Sequence, residues 1–282
     1  MPAPHQGQLR KRLAHRDSGA CPGPLAGIRL PLTCDRSDQS AHRPGRWRYG
    51  PGTETHSVGR TMMKIGIIGA GRIGGNVARQ AVRAGHEVVL SFSRNPQSLT
   101  DFAAELGERA RAGSPREAVT DTDLTVLAVP WSTIDSAVQQ AGALDGTIVV
   151  DTTNQFGPGP GSAAGQTQAS FNASRMPGAR YTKSFNTLTS AFQEEVVGRP
   201  VDERVVQWIC GDDADAKAVV ADFVASLGYV PIDLGGIAGC TVMESPRRPG
   251  AVYGEEYRRK DAEAVVAAVR AGEAIPPTPE YG

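Results

Sequence analysis

Cysteine is scarce in this chain, with four in 282 residues, at positions 21, 34, 210 and 240. No spacing among them is C-x-x-C or any other metal-ligating pattern. Neither a disulfide framework nor a metal site is therefore expected, and reduced thiols in a cytoplasmic protein are the reading. Histidine is equally sparse where chemistry would need it. Four of the five precede residue 62, and the fifth, His86, stands at the amino end of a strand, away from the edge at which α/β sheets bind ligands. Y-x-x-x-K is absent as well. Without a suitably placed His or a Tyr-Lys pair, the acid that an alcohol dehydrogenase would want is missing. No apolar run approaches the ~20 residues that span a bilayer, so no membrane partner is expected. Nor does one sign of charge prevail, since 30 Lys/Arg match 30 Asp/Glu. Residues 1–61 carry ten basic against four acidic residues, which leaves the rest negative by six and gives no support to nucleic-acid binding.

Residues 1–61 are rich in Arg, Pro and Gly and show neither helical nor alternating periodicity, which predicts a disordered basic leader. Its best apolar stretch, 20–32, is broken by Pro22, Pro24, Arg29 and Pro31 and makes no secretory signal. Met62-Met63 directly precedes the first strand pattern, so the natural chain is expected to start there, with the leader an upstream extension. A nucleic-acid-binding arm is the functional alternative for it.

What is present begins with K-I-G-I-I-G-A-G-R-I-G-G at 64–75. Its first half is a short apolar run suited to a parallel strand buried on both faces. The glycines then fall as G-x-G-x-x-G. Gly69 allows the tight turn, Gly71 clears the approach of a pyrophosphate, and Gly74 lets the next helix pack on the strand. That helix, over about 73–84, offers free N–H groups and a positive dipole end to phosphate, so Ala70, Arg72 and Ile73 join the glycines as cofactor-binding candidates. A second strand at 85–92 completes a βαβ unit.

Further along, strand-like segments at 109–112, 123–130, 146–151, 181–185, 204–210 and 229–234 alternate with helical ones. Ser114-Pro115 opens a short helix and Ser132 caps another in this reading. The pattern predicts an α/β fold, a doubly wound, mostly parallel sheet. We expect residues 62–236 to form the dinucleotide-binding domain and 237–282 a C-terminal extension with one polar helix around 256–271.

The nucleotide is chosen at the end of the second strand. An NAD site wants a carboxylate there for the ribose hydroxyls, and residues 88–100 contain none. Ser91-Phe92-Ser93-Arg94 instead places two hydroxyls and a guanidinium where a 2′-phosphate would lie, which predicts NADP. At the carboxyl ends of the later strands stand Val129, Pro130 and Trp131, then Asn154, then Asn186. The asparagines are placed to hydrogen-bond a nicotinamide amide or a substrate carbonyl, whereas Trp131 serves equally as a packing residue. Lys183 reads as a surface lysine on an edge strand.

Residues 64–245 resemble the NADPH-dependent reductases of the deazaflavin coenzyme F420 and the wider group of small NADP-binding oxidoreductases. The resemblance is carried by G-A-G-R-I-G at 69–74, S-R at 93–94, V-P-W-S-T-I-D at 129–135, D-T-T-N at 151–154, K-S-F-N-T at 183–187, C-G-D-D-A-D-A-K at 210–217 and G-Y-V-P-I-D-L-G at 228–235. It implies NADP(H) held by residues 69–74, Ser93 and Arg94, with Val129, Pro130 and Asn186 lining the nicotinamide pocket. It also implies F420 or a flavin as the second substrate. The C-terminus departs from the resemblance, because T-V-M-E-S at 241–245 leads into P-R-R-P-G rather than an apolar helix. Hydride transfer between two stacked rings needs little acid–base help from the protein, so no residue is assigned as a chemical catalyst. The expected function is an NADPH-dependent oxidoreductase. The alternative is a redox sensor that binds NADP(H) without turnover. A homodimer in which the C-terminal segment closes over a neighbour's crevice fits either.

Overall fold

The computed structural model describes residues 61–281. The leader reading falls almost wholly outside those residues. Eight strands form one sheet in the order β3-β2-β1-β4-β5-β6-β7-β8. The strands β1 (Lys64–Ile68), β2 (Glu87–Ser91), β3 (Ala110–Ala112), β4 (Leu124–Leu127), β5 (Ile148–Asp151) and β6 (Arg180–Lys183) are mutually parallel. β7 (Val206–Gly211) runs antiparallel to β6, and β8 (Val230–Gly235) parallel to β7. The order reverses at β1/β4, which is where an open α/β sheet leaves a crevice.

Alternation along β1 feeds two cores. Ile65 and Ile67 join Val77, Leu90, Phe185 and Phe223 on one face, while Ile68 joins Leu127, Trp131, Trp208 and Tyr257 on the other. A side chain at Gly66 would put its Cβ 1.6 Å from the Ala118 carbonyl oxygen, so the 115–121 segment crosses the sheet at contact distance only because residue 66 has none. That segment is a run of turns rather than the expected helix. It has few residues before β4 begins, and Asp121 leaves helical space at φ 55°.

Helix α1 (Arg72–Arg83) follows β1, and α2 (Pro96–Leu106) is started by Pro96 and by Asn95, whose side chain accepts from the Gln97 N–H. After β4 the chain makes a 3-10 turn over Trp131–Thr133 before α3 (Ile134–Ala141). Ser132 therefore does not cap the helix as expected. Pro130 sets the tight turn, and Thr133 stands at the cap with its hydroxyl donating back to the Pro130 carbonyl at 2.9 Å. The helices α4 (Gln168–Ser174), α5 (Ser190–Glu195) and α6 (Ala214–Ser226) follow, the last capped by Asp213. A 3-10 segment, Ile237–Met243, leads to α7 (Arg259–Ala271), which buries Ala262, Val265 and Ala268 one helical turn apart.

Candidate functional site

Because β2, β1, β4, β5 and β6 are parallel neighbours in that order, their carboxyl ends line one edge of the sheet. The residues singled out from the sequence fall along it in the same order: Ser93 and Arg94, the glycine loop, Val129 to Trp131, Asn154, Asn186. Widely separated stretches of chain thus form one row.

At the glycine loop the three glycines have different reasons. Gly69 holds φ +102°, and a Cβ there would lie 2.4 Å from the Ala128 carbonyl oxygen. At Gly74 a Cβ would lie 2.0 Å from the Gly69 carbonyl oxygen, so the helix could not seat against the turn. Around Gly71, by contrast, a Cβ meets nothing within 4 Å. Packing does not require a glycine there, whereas a pyrophosphate approaching the first turn of α1 does. Ala70 and Ile73 are half-buried and Arg72 exposed at that turn. A cleft of about 500 Å³ adjoins it, lined by Ala70, Gly71, Arg72, Asn76, Ser190 and Glu194 among others. Another, of about 450 Å³, opens beside Lys64, Glu87 and Arg109, at the opposite end of the strands.

Of the two hydroxyls expected at this corner, that of Ser91 is buried inside β2 and donates to the Ile67 carbonyl at 2.9 Å, so it does not face a phosphate. Phe92, at φ 58°, turns the chain out of β2. Ser93 and Arg94 follow, both exposed. The Ser93 hydroxyl accepts from the Asn95 N–H at 3.1 Å, while the Arg94 guanidinium makes no hydrogen bond or ion pair among the described residues. A cation without a partner among the described residues at this corner suits a phosphate. Across the edge, Val129 is buried against Gly69 and Pro130 is exposed. Trp131 is only 2 % exposed, donates from Nε1 to the Pro160 carbonyl at 2.6 Å and stacks on Phe171.

Asn154 and Asn186 form a reciprocal pair. Asn154 Nδ2 donates to the Asn186 carbonyl at 2.8 Å, and Asn186 Nδ2 donates to Asn154 Oδ1 at 3.2 Å and to the Met243 carbonyl at 2.6 Å. The Ser245 N–H also donates to Asn154 Oδ1. Asn186 Oδ1 is buried without a partner, an acceptor of the kind a carboxamide N–H₂ would satisfy.

Lys183 is the clearest correction to the sequence reading. β6 lies between β5 and β7 rather than at an edge, and the Lys183 side chain is 0 % exposed. Its Nζ donates to the Thr153 carbonyl at 2.6 Å and stands 3.3 Å from Asp151 Oδ2. Asp151 also accepts from the Tyr181 hydroxyl at 2.5 Å, Asn172 Nδ2 at 2.9 Å and the Thr153 N–H at 2.8 Å. Burial opposes ionisation of Asp151, but the Lys183 charge and these hydrogen bonds outweigh it and hold the carboxyl below its usual value. The Tyr181 hydroxyl is pushed well above its usual value by burial and then by the Asp151 charge. Sequence reasoning gave Asp151, Tyr181 and Asn172 no role. The signal it passed over is a carboxylate closing the otherwise apolar strand I-V-V-D.

Cys210 and Cys240 are free and buried, and burial pushes the Cys240 thiol up, so it is inert. No metal-holding cluster occurs among the described residues, and none of their helices is long and apolar enough to cross a membrane.

Residues 64–155 match the family described as NADP oxidoreductase, coenzyme F420-dependent. Metalloreductase STEAP3 of Rattus norvegicus is 30% identical over 182 residues, 64% of this chain and 36% of that protein. Metalloreductase STEAP2 of Homo sapiens is 24% identical over 181 residues, 64% of this chain and 35% of that one. The chain thus spans little more than a third of the length of these two curated relatives. Among solved structures, a hypothetical protein from Sinorhizobium meliloti superposes with a TM-score of 0.62 at 29% identity, covering 70% of this chain and 96% of that one. A candidate F420-dependent NADP reductase from Arthrobacter sp. FB24 gives 0.53 at 26% identity, covering 63% and 87%.

Proposed function

We propose that this chain, whose residues 64–155 match the model of the coenzyme F420-dependent NADP oxidoreductases, is a reductase that passes hydride from NADPH to a deazaflavin, a flavin or a related electron acceptor. The observation that carries the reading is the row along the carboxyl edge, which begins at the Arg94 guanidinium and ends at Asn186 Oδ1, both without a partner among the described residues. In this reading Arg94 and Ser93 take the 2′-phosphate, and the first-turn N–H groups of α1 take the pyrophosphate beside Gly71. Val129 and Pro130 wall the nicotinamide, whose carboxamide Asn186 Oδ1 orients. NADPH supplies the hydride when bound. The chain's part is to hold the ring and keep one face open to an acceptor, which needs no protein acid. We read 62–236 as the NADP-binding unit and 237–282 as the extension that backs it, since Met243 and Ser245 bond to the asparagine pair.

The test follows NADPH absorbance by stopped flow with F420, flavins and, because the similar proteins STEAP3 and STEAP2 are metalloreductases, ferric complexes as acceptors. Turnover with one class of acceptor is expected. NADPH binding without turnover on any of them would overturn the reductase and leave the sensor.

A further inference from the structure

The chain leaves the sheet at Asp151, yet the site needs Asn154 three residues later. The last ladder-type bond of this stretch is from the Thr152 N–H to the Leu127 carbonyl at 3.1 Å. Beyond it, side chains hold the backbone. The Thr153 N–H goes to Asp151 Oδ1 at 2.8 Å, its carbonyl accepts from Lys183 Nζ at 2.6 Å, and its hydroxyl accepts from Asn172 Nδ2 at 3.1 Å. Lys183 lies closer to that carbonyl than to Asp151 Oδ2, at 3.3 Å. Three groups of one residue are therefore fixed by a buried ion pair and its amide neighbour, and Asn154 follows directly.

A purely structural role explains this poorly. Burying two charges costs desolvation that their attraction barely offsets, and apolar residues of similar volume often stabilise as well or better. What an apolar pair cannot do is satisfy the two peptide groups of Thr153.

We infer that Lys183 and Asp151 are positioning residues that clamp the Thr153 peptide and so hold Asn154 against Asn186 at the nicotinamide end of the site. The inference rests on the NADP reading of the same site for its consequence, but not for the clamp itself. Neither residue touches the reacting atoms. They act through the asparagine pair.

The deciding variant is Lys183→Met with Asp151→Asn, which removes both charges together, keeps an acceptor for the Thr153 N–H and deletes the donor to its carbonyl. Melting temperature checks that it folds. Amide exchange of the full chain, read on peptides covering 152–156, is expected to speed up at least about tenfold while the rest of the sheet keeps its protection. By calorimetry, NADPH affinity is expected to fall about tenfold, whereas the nicotinamide-free analogue 2′-phospho-ADP-ribose binds as in wild type. Lys183→Gln with Asp151→Asn keeps a shorter donor, and its changes should be smaller and in the same direction. It also serves where the methionine variant does not fold. Either folded variant with wild-type exchange at 152–156 and an unchanged NADPH-to-analogue ratio overturns the inference. A wild-type protein that binds neither nucleotide sinks the NADP reading separately, and the exchange measurement still decides the clamp.

Discussion

At the scale of single residues, Gly71 and Gly74 separate ligand from fold. A Cβ at residue 71 meets open space at φ −78°, so Gly71→Ala should leave unfolding free energy within ~0.5 kcal/mol of wild type while weakening NADPH more than about tenfold. Gly74→Ala drives a methyl to 2.0 Å from the Gly69 carbonyl, and should cost about 1–3 kcal/mol of stability through overpacking. Urea unfolding and nucleotide titration of both variants check the contrast. Equal affinity losses accompanied by equal destabilisation would mean that residue 71 is a packing glycine after all. Arg94→Ala removes a charge-assisted contact worth ~1.5–3 kcal/mol, so NADPH affinity should drop roughly tenfold to hundredfold with NADH little changed. Parallel losses for both nucleotides would place Arg94 at the adenine instead. The glycine spacing and the missing carboxylate were legible because each is a local rule about backbone or charge. Lys183 was misread because its partners, Asp151 and the Thr153 carbonyl, lie 32 and 30 residues upstream, and Y-T-K-S looks like a polar edge.

At the scale of elements, β1, β4 and β5 were readable because each is a short, largely apolar run buried on both faces. Their neighbours were not. That β7 runs back antiparallel and covers β6 depends on the length and path of the 184–205 connection, not on any pattern within the strand. The same holds for α4. Its start is capped by Thr167, whose hydroxyl accepts from the Ser170 N–H, and by Glu244, whose carboxylate accepts from the Gln168 and Ala169 N–H groups at 2.9 and 2.6 Å. Glu244 is 4 % exposed and 75 or more residues away in sequence from those donors. Flanking it, the Met243 carbonyl and the Ser245 N–H bond to the asparagine pair, so one carboxylate anchors the segment that backs the site. Glu244→Ala strands two N–H groups at a helix start and should cost about 2–4 kcal/mol in urea unfolding. Glu244→Gln, which keeps one acceptor, should cost about half of that. A loss within ~0.5 kcal/mol for the alanine variant would show that water replaces the carboxylate.

At the scale of the molecule, the response to acid follows from three carboxylates held below their ordinary values. Burial works against ionisation of Asp151, and the Lys183 charge with three hydrogen bonds overrides it. Asp213 is lowered chiefly by the Arg180 guanidinium that ties β6 to the start of α6, and then by the Ala216 N–H. Glu117 is lowered to about 2 by the Ser114 N–H and hydroxyl and then by Arg111. A carboxyl with a depressed folded-state value contributes stability above its unfolded value, and that contribution disappears as pH falls towards the folded value. Stability should therefore fall ever more steeply below about pH 4, with up to about three protons taken up on unfolding near pH 3. Urea-unfolding free energies measured at closely spaced pH give that number as a slope. The Lys183→Met/Asp151→Asn protein has lost one of the three groups, and its slope should be shallower, by at most about one proton, while Asp213 and Glu117 still contribute theirs. An unchanged slope in that variant would mean that Asp151 is not the charged centre of the buried network, and the clamp on Thr153 would then have to be neutral.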